Sequence, residues 1–245
     1  METEITTTQD EVQETTVSEE TISRCRFLGS NLDKLFKIQL ASAVVTVALL
    51  IVYMFFSRVG LRMSVGFTYF IFALVAILAL GALGISIAIT VILFRMGKYN
   101  DGFKYAAIFI IISFIISLFS FLVNSMVVSL LSSVFSFLYI FKFINTMAQV
   151  LTPVNKNIAT GWENLKKLYI YTLIGVGASI ILVLIPLIRA LSAFGIFVCI
   201  IAVLVAKIWE INLIYDSANA MNSYPNTSEQ PKEDITQEQD APYID

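Results

Sequence analysis

Five tracts of the chain are almost continuously apolar: residues 36–56, 65–94, 105–143, 168–187 and 191–209, with short polar stretches between them. A bilayer core about 30 Å thick asks for roughly 20 apolar residues per helix, which each tract supplies. The third is too long for one crossing. Taken from Tyr105 to Thr146 it would form a helix of roughly 63 Å at about 1.5 Å per residue, about twice the hydrocarbon thickness. It must fold back, and Val123-Asn124-Ser125 is the most polar place near its middle. The pattern predicts an all-α, polytopic transmembrane helix bundle of six spans at about 36–56, 65–94, 105–122, 126–146, 168–188 and 191–210, within a membrane domain covering 30–215.

Local signals at the span ends agree with this division. Ser30-Asn-Leu-Asp33 and Thr160-Gly-Trp-Glu163 place a hydroxyl three residues before a carboxylate, the capping-box spacing, and predict helix starts there. Asp101 is placed to cap the helix entered at Phe103. The segments NLDKLFKIQL (31–40) and NLKKLYIYTL (164–173) match at five of ten positions. With the similar ends LFRMGKY, YIFKF and AKIWE, this suggests three repeated helical hairpins. Residues 1–29 and 216–245 are polar and poor in large apolar side chains, so burial cannot offset the entropy of ordering them. Both are expected to be disordered tails.

Composition strengthens the membrane reading: 58% of residues are hydrophobic and 14% charged, against about 25% charged in average soluble domains. Charge also sets an orientation. The tails are acidic, with seven acids in residues 1–23 and seven acids against one lysine in 216–245, whereas fifteen Lys and Arg face four acids between them. With six spans and an internal N-terminus, all of those cations except Arg58, Arg62 and Arg189 fall on the cytoplasmic side, as the retention of Lys and Arg in cytoplasmic loops requires. A single span over 105–146 would erase most of that bias. Both tails are therefore expected in the cytoplasm. The N-terminus has neither the positive region nor the apolar run of a secretory signal, and Cys25 and Cys199 have no metal or disulfide spacing.

The most distinctive candidates are hydroxyls inside apolar sequence. Ser113, Ser117, Ser120 and Asn124 recur at i, i+4, i+7 and i+11, along one helix face. The next span carries Ser125, Ser129, Ser132 or Ser133, and Ser136, and a tight hairpin would turn the stripes toward each other. One reading is a packing seam, since helices in lipid associate through small residues and interhelical hydrogen bonds. The other is a narrow polar path for water or a small neutral solute. Serine can also bond back to its own i−4 carbonyl, which weakens the second reading. Ala82, Ser86 and Thr90, Gly175 and Ser179, and Ser42 and Thr46 form further small-residue lines.

Charged groups inside spans are scarce. Lys207 and Glu210, spaced i and i+3 beside Trp209, read as an interfacial ion pair with an aromatic anchor, or else as a gate pair. Pro186 reads as a kink near the outer end of the fifth span. Trp162, Tyr105, Tyr169 and Tyr171 fall at interface depth and read as belt aromatics.

Enzymatic chemistry finds no purchase. The chain has no histidine, which removes a Ser-His pair and an HExxH zinc helix, and it lacks a GxxxxGK[ST] phosphate loop. The expectation is a non-enzymatic protein without metal, cofactor or nucleic acid, whose partners are the lipid bilayer and other membrane proteins or further copies of itself. Tyr139-Ile-Phe-Lys-Phe, followed after a loop by Glu163-Asn-Leu-Lys-Lys-Leu-Tyr and another span, resembles a pattern in an uncharacterised family of small bacterial multi-pass membrane proteins, a domain of unknown function. That resemblance implies a bacterial inner-membrane protein and adds no activity. Two roles follow as expectations: a scaffold or accessory subunit in the membrane, or a small-solute permease or channel with a serine-lined path between spans three and four.

Overall fold

The structure is a computed structural model that describes residues 3–59, 65–123, 125–183 and 189–224. Side chains are described from Glu19 onward, except those of residues 53, 55–59, 65–68, 121, 122, 126, 183 and 189–193. Six helices account for nearly all of it: α1 Thr3–Val59, α2 Val65–Met96, α3 Asp101–Val123, α4 Met126–Leu151, α5 Lys156–Val183 and α6 Arg189–Asn222. Each is long and apolar enough to cross a membrane, and no strand occurs among the described residues. The protein is an all-α, six-span, multi-pass membrane bundle. The overlong third tract divides where its length demanded, with α3 ending at Val123 and α4 beginning at Met126.

Every helix packs against its neighbours in sequence, and α6 returns to pack against α1, so the six form a closed ring in chain order. The turns between α2 and α3 and between α4 and α5 lie at the same end as the first half of α1 and the last turns of α6. That end carries Arg24, Lys34, Lys37, Arg95, Lys98, Lys104, Lys156 and Lys166, and is called the basic end below.

Nearly all large buried side chains sit there. Leu28, Leu32 and Leu35 of α1, Leu93 and Met96 of α2, Phe103 of α3, Phe143, Ile144, Met147 and Leu151 of α4, Trp162 and Leu165 of α5, and Ile214 and Met221 of α6 form one core. Phe143 packs between Phe103, at 6.1 Å centroid separation, and Trp162, edge-on at 5.6 Å. The backbones come close where side chains are small. A Cβ added to Gly29 would collide with Asn222 across the α1–α6 contact, and one on Gly102 with Thr146 across α3–α4.

The helix ends differ from the local cap signals. Ser30 lies within α1, and Thr160 lies within α5, where its hydroxyl bonds back to the Lys156 carbonyl at 2.9 Å. Asn155 caps α5 instead, its Oδ1 accepting from the Asn157 and Ile158 amides at 3.1 and 3.2 Å. Asn100, rather than Asp101, caps α3 by accepting from the Gly102 amide at 2.8 Å. The helices run past the apolar tracts because their extensions bury side chains against one another. Cys25 and Leu28 are buried on α1, and Ser217, Ala218 and Met221 on α6. The ordered bundle therefore takes in residues 19–29 and 216–222, which composition had assigned to the tails. Of the expected disordered segments, residues 225–245 and the side chains of 1–18 lie outside the described residues, as do Asn124 and Pro186.

A polar cavity inside the helix ring

Just beyond the basic-end core, the side chains facing the inside of the ring become small and hydroxylic. Between α3 and α4 the two serine stripes meet. Ser113 Oγ and Ser132 Oγ each donate toward the other's backbone carbonyl at 3.0 Å, and the two hydroxyls lie 3.2 Å apart. Ser136 Oγ is 2.7 Å from Ser113 Oγ, and Ser117 Oγ is 3.2 Å from Ser132 Oγ. The reason is geometric: a hairpin of only a few residues holds α3 and α4 antiparallel, and a two-atom side chain lets their backbones approach until hydroxyls reach across.

The stripes do not converge along their full length. Ser129 and Ser133 are exposed on the outer surface of α4, with Ser133 Oγ bonded back to the Ser129 carbonyl at 3.1 Å. Ser120 is half-buried outside the network. Ser125 precedes α4 in an extended conformation and makes no side-chain cap. Of the two serines the spacing left open, Ser132 faces inward and Ser133 outward. The small-residue line on α2 is satisfied within its own helix: Ser86 Oγ donates to the Ala82 carbonyl at 3.0 Å and Thr90 Oγ1 to the Ser86 carbonyl at 2.8 Å. Between α5 and α6, a Cβ on Gly195 would stand 2.6 Å from Ser179 Oγ, so that seam also depends on a missing side chain.

The Ser113, Ser117, Ser132 and Ser136 hydroxyls form one wall of an open cavity of about 400 Å³, lined on its other sides by Gln39 and Ser42 of α1, Ser86 of α2, Tyr139 of α4 and Lys207 of α6. Five of the six helices thus contribute a polar group to it. Gln39 is the informative member. It is 4% exposed, and its amide makes no hydrogen bond among the described residues although it lines the cavity. No buried side-chain nitrogen or oxygen among the described residues lacks a partner, so the Gln39 amide opens onto the cavity, where it can both donate to and accept from a small polar molecule.

Beside the cavity, Glu210 is 2% exposed and held on both oxygens. Lys207 Nζ donates to Oε1 at 3.1 Å, and the Tyr169 hydroxyl donates to Oε2 at 3.0 Å. Lys207 is therefore both a lining group and half of a neutralised pair, which leaves the wall polar without net charge. The i, i+3 spacing had pointed to this ion pair, as an interfacial or a gate pair, but not to the burial of its carboxylate. The correction comes from Tyr169, a buried partner on α5 instead of a lipid-facing belt residue. Trp162 is likewise internal, its Nε1 donating to Ser217 Oγ at 3.0 Å. Tyr105 and Tyr171 are exposed, as expected of belt positions.

Sequence reasoning missed Gln39, Tyr139 and Tyr169 as members of this site. The available signal was phase. On α5, Trp162, Leu165, Tyr169 and Thr172 are buried while Glu163, Lys167 and Ile170 are exposed, a division that spacings of three and four residues produce on any helix with an inner face. The arrangement can accept and donate hydrogen bonds to a small polar molecule. No family model, curated protein or solved structure matches this chain.

Proposed function

We propose that the protein is a permease or channel for a small polar solute, neutral or zwitterionic, which it binds in the cavity inside its helix ring. The observation that carries this reading is the cavity itself, into which the Gln39 amide opens opposite hydroxyls from three other helices. Its volume lies within the roughly 300–1,000 Å³ typical of small-molecule sites. The charge preference follows from the Lys207–Glu210 pair, since a bare ion in this apolar surround would lack a counter-charge. In the orientation we propose, the basic end faces the cytoplasm of a bacterial cell, and the aromatic core of Phe103, Phe143 and Trp162 closes the cavity on that side.

The test is flux of glycerol and urea into proteoliposomes, followed by light scattering. Wild-type protein should raise the flux of at least one solute above that of protein-free vesicles. Gln39→Leu and Ser132→Leu, each folded by circular dichroism and gel filtration, should lower it by about tenfold, the loss of one to two net hydrogen bonds. Flux equal to empty vesicles, or unaffected by both substitutions, overturns the proposal.

The scaffold reading keeps one specific support, the polar-surfaced extension of α1, α5 and α6 beyond the apolar tracts. That surface suits a protein partner, and co-purification in mild detergent addresses it: a solitary protein with full function would count against a scaffold.

A further inference from the structure

A shallow groove runs between α1 and α2 at the basic end, away from the ring interior. Its walls carry three cations, Lys34 and Lys37 from α1 and Arg95 from α2, and its floor is apolar, formed by Ile38, Ala88, Val91 and Ile92. Lys37 is engaged by Asp33 at 2.7 Å, whereas Lys34 and Arg95 have no counter-ion among the described residues. Val91 is also the edge of a second groove, between α2 and α3, of about 260 Å³ and lined by Leu83, Ile87, Ile110, Ile111 and Phe114 with almost no polar surface. The two grooves meet over one ridge of α2. The cations lie where the apolar tracts of α1 and α2 give way to polar sequence, which is headgroup depth.

We propose that this surface is a binding site for an anionic diacyl phospholipid of the basic-end leaflet. Lys34 and Arg95 hold the phosphate, and Lys37 remains shared with Asp33. The glycerol backbone crosses Val91, and an acyl chain lies in the α2–α3 groove against Ile87, Ile111 and Phe114. Three features point to lipid over a soluble anion. The cations stand at membrane-interface depth, the floor beneath them is hydrocarbon, and a chain-width apolar groove continues from it into the span. Basic pockets between transmembrane helices recognise anionic headgroups by this combination of charge and depth. The cation-walled groove shares no lining residue with the solute cavity, whereas the α2–α3 groove borders that cavity at Ser86, Ile110 and Phe114.

The experiment uses the full chain, purified from nanodiscs containing equal phosphatidylglycerol and phosphatidylcholine, with co-purifying lipid measured by native mass spectrometry. Wild-type protein should retain phosphatidylglycerol in preference to phosphatidylcholine. K34Q/R95Q should lose that preference by about 25-fold, roughly fivefold per removed cation, whereas K98Q/K156Q, which removes two exposed cations from turns at the same end, should keep it. Ile111→Trp, which fills the chain groove without touching charge, should lower retention as well. Equal retention of the two lipids by wild-type protein, or equal losses in the two double variants, would overturn the site. Gel filtration and circular dichroism identify any variant that fails to fold, and the conservative K34R/R95K pair then takes its place, with retained preference expected and a complete loss counting against phosphate recognition by charge.

Discussion

The two halves of the bundle are built on opposite plans. At the basic end, large apolar side chains face inward and charged ones outward: Trp162, Phe103 and Met147 are buried, while Lys98, Lys156 and Glu163 are exposed. In the other half the large apolar residues face out, among them Leu50, Phe72, Leu118, Val127, Ile181 and Phe197, and the buried side chains include the hydroxyls of Ser113, Ser132 and Ser179. The difference records two solvents. In water, burial of apolar area drives association at roughly 25 cal/mol per Å². In lipid that term vanishes, because the tails are as apolar as the side chains, and helices are held by close backbone approach and interhelical hydrogen bonds. One continuous set of helices therefore switches its rule of cohesion part-way along, and the polar cavity sits next to the switch.

Five substitutions sharpen or break that comparison. The largest effect belongs to the watery half. Trp162→Ala should lower the unfolding free energy by about 3–5 kcal/mol in a detergent denaturation titration, through lost packing on Phe143 and the lost Nε1 bond to the Ser217 hydroxyl, which keeps its own bond to the Leu213 carbonyl. In the lipid half the sign of size reverses. Ser132→Leu adds apolar volume to a seam whose hydroxyls stand 3.2 Å apart or less, and should cost about 1–3 kcal/mol by the same titration. Were that substitution stabilising, the lipid half would obey the water rule and the distinction would collapse.

A finer contrast comes from two adjacent serines. Ser132→Ala should cost about 0.6–2 kcal/mol because it removes interhelical bonds, while Ser133→Ala, facing lipid and bonded only to its own helix, should change stability by less than about 0.5 kcal/mol. Equal effects would mean that the inward hydroxyls do not bind α3 to α4. Smallest of all is Asp33→Asn. It breaks an exposed i, i+4 pair with Lys37 and should shift stability by only about 0.3–0.5 kcal/mol, declining in high salt.

The part of this architecture legible in the sequence was the part imposed by lipid. Hydropathy reports contact with hydrocarbon, so the six spans and the break near Asn124 follow from length alone, and the facing of Ser113 and Ser117 toward Ser132 and Ser136 follows from helical periodicity. What lies beyond the lipid is set by partners distant in the chain. Ser30 marks no helix start because Cys25 and Leu28, upstream of it, are buried in the bundle. Trp162 and Tyr169 bracket the Lys166-Lys167 pair in the sequence, and only their bonds to Ser217 and Glu210 on α6 distinguish inside from interface. Gln39 went unread because nothing in Lys37-Ile38-Gln39-Leu40 sets it apart, and its place in the site depends on four other helices leaving a space in front of it.

Ring closure between α1 and α6 fixes an order of events at the ribosome. Gln39 and Ser42 enter the bilayer with the first helix, yet the wall that carries Lys207 is made last. At roughly 5–20 residues per second, that interval is on the order of 10–30 s. Throughout it the ring is open on the side where α6 will pack against α1. The polar cavity is therefore completed only by the sixth helix, which brings Lys207 and shuts the ring in one step.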